Sequence, residues 1–328
     1  MELKYIHYLQ AIAARKSISA AARVLYVSQP TLSQCLKKYE EELGYPIFSR
    51  TKQGLIPTRE GQIFLDTATR MQSLERSMRN RLEDESQSIS GTVVFGLSSN
   101  RAPFLLPVVL PEFHRRYPQI QVRIVEGRTR DLEHALEQGT IDLGFLIPPL
   151  RSPEISYEML GQEELLLAVP RAYQLGKLAH RKEGGLPWVA LKDLADYPFL
   201  LYDTHNRLCD FIQELFLRES FSPGKSLTFH SIATISSLAS AGMGVTVLPE
   251  MFAASHFQLD YYSIGPEGCC RQLSLGYPPH LYRSRPARLF ARILAETLAE
   301  ERESFRKQYM LQFTGPGNPD ENRRQAGL

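Results

Sequence analysis

No stretch of the sequence runs to the ~20 uninterrupted apolar residues that a helix needs to cross a bilayer. Cysteine is scarce, and Cys35, Cys209, Cys269 and Cys270 have neither the spacing of a disulfide framework nor that of a zinc site. A nucleophile elbow, an HExxH pair, a phosphate loop and paired cysteine ligands are all missing, so no metal, cofactor or catalytic centre is expected and the chain does not read as an enzyme. The net charge of +2 requires any nucleic-acid surface to be local. The opening MELKYIHYLQAIAARK has no apolar core or small-residue cleavage site of a signal peptide, so a cytoplasmic location is expected. What remains is 328 residues, 43% of them hydrophobic, which suffices for two or three modest cores.

The first sixty residues carry the clearest pattern. Ile6, Leu9, Ile12 and Ala13 recur at helical spacing and predict a helix ending near Arg15-Lys16. Ser19 is a candidate N-cap for a second helix, with Ile18 packing back as a staple and Ala21, Ala22 and Leu25 continuing a buried stripe. Tyr26-Val27-Ser28-Gln29-Pro30 then breaks the helix. Ser28 can cap a third, and Pro30 fits its first turn, where a missing N–H costs little. Leu32, Leu36, Tyr39 and Leu43 mark the expected buried face of that helix. Pro30, Gln34, Lys37 and Lys38 fall opposite, flanked by Thr31 and Ser33. Two short helices joined by a tight turn form a helix-turn-helix whose second helix offers hydrogen-bonding groups to base edges. Gln29 and Gln34 suit adaptable or bidentate base contacts, and Thr31 and Ser33 can donate or accept. Lys37, Lys38, Arg50 and Lys52 suit phosphates, which position a protein without specifying sequence. The competing reading is a three-helix interaction module with a solvated polar face.

From Met1 to Gly61 the chain resembles the winged helix-turn-helix of LysR-type transcriptional regulators. The matching landmarks include Ser17-Ile18-Ser19, Ala21-Ala22, Val27-Ser28-Gln29-Pro30, Leu32-Ser33, Leu43-Gly44, Phe48, Arg50 and Thr58 to Gly61. The resemblance implies a wing over roughly residues 50–57. It also marks two departures: Gln34 stands where family members often have arginine, and Cys35 replaces a frequent glutamine. Cys35 lies toward the edge of the buried stripe, which favours packing over redox chemistry.

Thr58 can cap a linker helix over 59–90, with Phe64, Thr67, Met71, Leu74 and Met78 at steps of three and four, as in a coiled-coil seam. A helix this polar needs a partner for its apolar face. Its own chain could provide one; the resemblance favours a second subunit, hence a dimer and, by family precedent, a tetramer. Phe64, Met71, Leu74 and Met78 are the candidate dimerisation residues. A hinge is expected within 86–91.

Beyond Gly91 strands and helices alternate. TVVFGL (92–97), IQVRIVE (120–126), IDLGFL (141–146), LLLAVP (165–170), PFLLY (198–202), LTFH (227–230), GVTVLP (244–249) and CRQLSLGY (270–277) read as strands. Helices are expected over 103–118, 131–139, 207–219, 232–241 and 286–312. Two α/β lobes crossed by the chain place a ligand in the cleft between them, at the carboxyl ends of strands. This order resembles the effector-binding domain of LysR-type regulators, itself similar to periplasmic solute-binding proteins of type 2. Expected boundaries are 1–58 for the DNA-binding unit, 91–163 with 269–312 for lobe I, 164–268 for lobe II, and a disordered tail over 313–328. By family position the ligand meets Ser98, Ser99 and Asn100, Thr129 at a helix start, and Tyr202, Thr204 and His205 in lobe II. Hydroxyls and N–H groups at helix starts suit a carboxylate or similar anion. Simple capping explains Ser98 and Thr129 equally well, and Arg101 and Arg128 either add charge or point into solvent. His205, with no carboxylate or second histidine placed beside it in sequence, reads more readily as a surface or packing residue than as a ligand contact. Gly242 and Gly244 follow a helix and enter a strand, the wrong order for a dinucleotide loop, so they read as helix termination. Some members of the resembled family sense peroxide through separated cysteines, but Cys209 has no partner at short spacing and adjacent Cys269-Cys270 suit no ordinary disulfide.

Fold class is therefore α/β overall: an all-α winged helix-turn-helix, a long linker helix and a two-lobed α/β domain. The expected function is regulation of transcription, with double-stranded DNA, a small anionic effector, further copies of the chain and RNA polymerase as partners, and no membrane. An α/β solute-binding protein or enzyme with a helical interaction module is the alternative.

Overall fold

The computed structural model describes residues 3–85, 89–182, 185–203, 207–253 and 257–314. The expected tail lies outside these residues from 315 onward, as do three residues of the expected hinge. Helix α1 (Leu3–Arg15), α2 (Ile18–Leu25) and α3 (Gln29–Leu43) are followed by a hairpin of β1 (Phe48–Thr51) and β2 (Gly54–Pro57), paired antiparallel. The cap of α2 is Ser17, not Ser19: its hydroxyl accepts from the Ala20 N–H at 3.3 Å, so Ile18 is the first helical residue. Tyr26 ends α2 in the left-handed region at φ 54°, and its backbone N–H returns to the carbonyls of Ala22 and Arg23. Ser28 caps α3 as expected, accepting from Thr31 N–H, with Pro30 in the first turn. These caps satisfy otherwise orphaned N–H groups and fix the angle between the two helices. Leu9, Ile12, Ala21, Leu32, Leu36 and Tyr39 form one core with Ile47 and Phe48. Leu43 is the exception on the expected buried stripe, 41% exposed, because α3 outruns the core at its last turn. Gly54, at φ 102°, lets the wing approach α1: an added Cβ would stand 2.4 Å from the Lys16 carbonyl oxygen.

Helix α4 (Arg59–Asp84) is capped by Thr58, whose hydroxyl accepts from Gly61 N–H at 2.9 Å. Its first turns pack on the winged unit, and this corrects the seam. The Phe64 ring lies 6.1 Å from that of Tyr39, facing its own domain, whereas Ile63 is 61% exposed. Steps of three and four fit either residue in the sequence; contact with Tyr39 decides which face is spoken for. The outward stripe is Ile63, Thr67, Met71, Leu74, Met78 and Leu82. The opposite stripe docks on the C-terminal domain. Ser73 Oγ donates to the Gln138 carbonyl at 2.7 Å, Arg76 reaches the Gly139 carbonyl and the Asp142 carboxylate, and Asp84 accepts from Tyr282 and from the Arg285 backbone N–H.

The C-terminal domain is built on one eight-stranded mixed sheet. Parallel β3 (Gly91–Leu97), β4 (Ile120–Glu126) and β5 (Leu143–Leu146) alternate with α5 (Ala102–Arg116) and α6 (Thr129–Glu137), as the alternating pattern predicts. The strand β6 (Ser156–Pro170) spans both lobes. Its first half pairs with β12 (Cys270–Tyr277). Its second half pairs with β10 (Thr246–Pro249) and β11 (Leu259–Ile264), the latter also meeting the two-residue β7 (Trp188–Val189). A separate parallel pair, β8 (Pro198–Tyr202) and β9 (Lys225–Phe229), joins the second lobe beside α7 (Arg207–Arg218) and α8 (Ile232–Ser240). The closing α9 (Arg285–Thr314) returns to the first lobe, where Phe290 packs on Phe95 and Phe113. Separate apolar cores lie on the two sides of the β6–β12 crossing, so each lobe holds itself together and the crossing strands connect them. Gly242, at φ 86°, ends α8 as expected, its N–H bonded to the Ala239 carbonyl.

Candidate DNA interface and effector cleft

The free face of α3 is almost wholly solvent-exposed. Gln29, Pro30, Thr31, Gln34, Lys37 and Lys38 are exposed, Ser33 is half-buried, and Arg50 and Lys52 lie exposed on the wing. The face is not a loose fringe. Ser19 Oγ donates to Gln29 Oε1 at 2.9 Å, and the hydroxyls of Ser28 and Thr31 are paired at 2.7 Å. Lys37 and Lys38 make only long, exposed ion pairs with Glu41 and Glu42, at 3.6 and 3.8 Å. Such pairs are worth a few tenths of a kcal/mol and yield readily to a phosphate. Tyr26, the left-handed residue that ends α2 in the turn between the two helices, is 96% exposed, a large aromatic at a helix break.

Between the lobes lies a cavity of about 560 Å³. Ser98, Ser99, Asn100 and Thr129 all line it. The capping alternative for two of them gives way: Arg101 and Arg128 are the N-caps of α5 and α6, neither with a side-chain cap bond, and Thr129 is the first residue of α6. Tyr202 is not brought to the cavity. It faces inward at 3% exposure from a β8 side chain packed in the second lobe's core, and burial drives its phenol pKa upward. Thr204 and His205 lie outside the described residues.

Beneath the cleft sits a buried charge cluster that sequence reasoning missed. Glu163 accepts from Arg101 at 3.2 Å and from Arg271 at 2.7 Å, and all three are 5% exposed or less. Arg101 therefore does not point into solvent; its guanidinium also lies 4.8 Å from the Phe145 ring centre. Burial works against the Glu163 carboxylate, but the two guanidiniums outweigh it and hold its pKa below the ordinary range. Arg128 is the solvent-facing one, paired with Asp131 at 3.0 Å. From the second lobe Arg207 donates to the Pro149 carbonyl of the first, a direct strap across the cleft. Far-apart positions in the chain contribute these arginines, so no local motif announced them.

An exposed polar helix beside a wing, a long linker helix and a two-lobed cleft joined by crossing strands also occur together in known proteins. Residues 3–62 match the family described as "Bacterial regulatory helix-turn-helix protein, lysR family", and residues 86–299 match its "LysR substrate binding domain". The chain belongs to the LysR family. LysR-family proteins are transcriptional regulators rather than enzymes, with a DNA-binding and an effector-binding domain in one chain. An uncharacterized HTH-type transcriptional regulator of Bacillus subtilis, YcgK, is 28% identical, covering 98% of this chain and 100% of that one. Among solved structures, full-length OxyR from Pseudomonas aeruginosa superposes with a TM-score of 0.69 at 23% identity, over 91% of this chain and 94% of that one. Full-length CbnR in complex with its target DNA gives 0.64 at 23% identity, over 90% and 100%. No described helix is long and apolar enough to cross a membrane.

Proposed function

We propose that this LysR-family regulator binds, as a dimer, an operator with two half-sites, each read in the major groove by one α3, and that an anion held between residues 91–163 with 269–312 and residues 164–268 resets the arrangement. The observation that carries the reading is the exposed face of α3. Caps at Ser28 and Gly44 fix the helix, Ser19 holds Gln29, and Gln34, Lys37 and Lys38 are left facing outward. Gln34 reads a base edge, Gln29, Pro30, Thr31 and Ser33 line the same groove, and Lys37, Lys38, Arg50 and Lys52 neutralise phosphates. The CbnR–DNA complex shares this fold, which supports the same mode of entry.

Pairing through α4 gives the spacing. Its outward stripe is self-complementary when two copies run antiparallel: Ile63 meets Leu82, Thr67 meets Met78, and Met71 meets Leu74, about a two-fold axis between residues 72 and 73. An isologous pair of this kind places two α3 helices on symmetric half-sites. Working on bacterial DNA, the protein resides in the cytoplasm, where the bound dimer, or a tetramer of two such pairs, meets RNA polymerase.

Footprinting on the promoter region next to the chain's own gene tests this. Two protected half-sites separated by one or more helical turns are expected. Binding with no preferred site, or protection of a single half-site at every concentration, refutes it.

A further inference from the structure

We propose that the effector is a dianion carried on an apolar body; the proposal rests on reading the cleft as the effector site and adds its charge class. Six arginines line the cavity against three carboxylates. Two of the pairs close on themselves: Arg128 with Asp131 at 3.0 Å, and Arg207 with Asp210 at 3.9 Å. Glu133, 5% exposed, accepts the backbone N–H of Arg151 at 3.0 Å and offsets one further charge. Behind the wall, Arg101 and Arg271 share the single carboxylate of Glu163. With Glu163 counted as a fourth carboxylate, the cleft keeps an excess of two positive charges.

The position of that excess matters more than its size. Exposed arginines at the rim, Arg130 and Arg151, are screened by water and salt ions. The Arg–Glu–Arg cluster is not: no more than 5% of any member reaches solvent, so its unmatched charge stays in a wall of low polarisability. An anionic group placed against Arg101 and Arg271 becomes the fourth charge of the cluster and makes charge-assisted hydrogen bonds. A second anionic group falls to Arg130 and Arg151, helped by the start of α6, where Arg128 provides no side-chain cap. Ile147 of the first lobe and Leu208, Ile232 and Phe252 of the second also line the cavity and supply apolar surface for the body of the ligand. A dicarboxylate or an organic phosphate with a hydrocarbon or aromatic body satisfies all three regions; a monoanion leaves the buried or the rim charge unmatched.

Thermal unfolding of the full-length chain at constant ionic strength tests this with matched probes: hexanoate against adipate, and benzoate against isophthalate. The dianion of at least one pair is expected to raise Tm at about tenfold lower concentration than its monoanion. The double variant Arg130→Ala/Arg151→Ala should bring the dianion down to the monoanion's level, and Ser99→Trp, which plugs the cavity from an exposed position, should abolish both. Equal potency of monoanions and dianions, or no response to any acid, overturns the proposal. If a monoanion binds equally well and Ser99→Trp abolishes that binding, the cleft survives as the site and only the charge class falls. Stabilisation that persists in Ser99→Trp removes the cleft reading itself.

Discussion

Gln34 and Lys37 lie one helical turn apart on the same exposed face of α3, but different forces govern them. A glutamine amide discriminates between bases by donating and accepting at fixed edges, worth about 1–3 kcal/mol against a wrong base pair. Gln34→Ala should therefore narrow the gap between operator and random DNA and relax preference at one base pair, read by gel shift on singly substituted operators. Equal losses on operator and random sequence would remove it from base readout. Lys37 acts through charge, so Lys37→Ala should weaken all DNA alike and flatten the slope of log K against log salt by about 1. The cysteines present a different residue-scale question, because some LysR-type proteins sense peroxide. Burial is the leading cause of a raised thiol pKa at Cys35, Cys209, Cys269 and Cys270 alike, and at Cys270 the carboxylates of Glu164 and Glu250 push the same way. Thiolate is the reactive form, so all four are poor targets for oxidation. Peroxide at sub-millimolar concentration is expected to leave DNA binding unchanged, and a mass shift on Cys209 coupled to a change in footprint would contradict this.

At the scale of elements, the outward stripe of α4 makes the sharpest statement. In the antiparallel register Thr67 faces the partner's Met78, whereas the two Met78 residues stand eleven positions apart along the axis, about 16 Å. In a Cys270→Ser background, Thr67→Cys with Met78→Cys should cross-link subunits on mild oxidation, and Met78→Cys alone should not. Cross-linking by Met78→Cys alone would indicate a parallel pair. Much of this level was legible in the sequence. Thr58 started α4 where expected, and β4, β8 and β12 were bounded to the residue, because a cap, a β-branched run in β4 and short apolar or alternating runs in β8 and β12 are local signals. The first half of β6 was not: SYEMLGQEE is polar, mostly exposed and held by pairing with β12 more than a hundred residues away. Two-residue β7 was too short to announce itself, and β11 had no regular alternation. The site divides in the same way. Ser98, Ser99, Asn100 and Thr129 sit at element ends and were found through the resemblance, whereas the Arg101–Glu163–Arg271 cluster exists only once three distant segments meet.

For the whole molecule, the docked face of α4 determines what moves with what. A hinge over 86–91 suggests a linker helix free of the effector domain, yet Ser73, Arg76, Ser77 and Asp84 tie its second half to the first lobe. While those ties hold, α4 and the first lobe move as one body; under the proposed function, a ligand that draws the second lobe across the cleft would change the pose of that body relative to its partner. The ligand can shift this balance only by its differential affinity for the two arrangements. Asp142 is the adjustable member of the tie. Burial raises its pKa, and Arg76 and the Val94 N–H, which the carboxylate accepts at 2.7 Å, only partly oppose this. A carboxyl group whose folded pKa is raised holds its proton more tightly in the folded state, so its contribution to global stability improves as pH falls through that value and is least favourable above it. The same protonation removes the charge that Arg76 pairs with. Acidification should thus loosen the docking of α4 without unfolding the first lobe. Hydrogen exchange, corrected for its intrinsic pH dependence, is expected to be faster in residues 73–84 in an acidic than in a neutral buffer, while β3 and β5 stay protected. Arg76→Ala should show the faster exchange at both pH values, at a stability cost of roughly 1–2 kcal/mol. Asp142→Asn should remove the pH dependence, since no proton is left to bind. If exchange in 73–84 is equally slow in all three proteins at both pH values, the polar ties do not hold α4 in place, and the effector signal must leave the first lobe by another route.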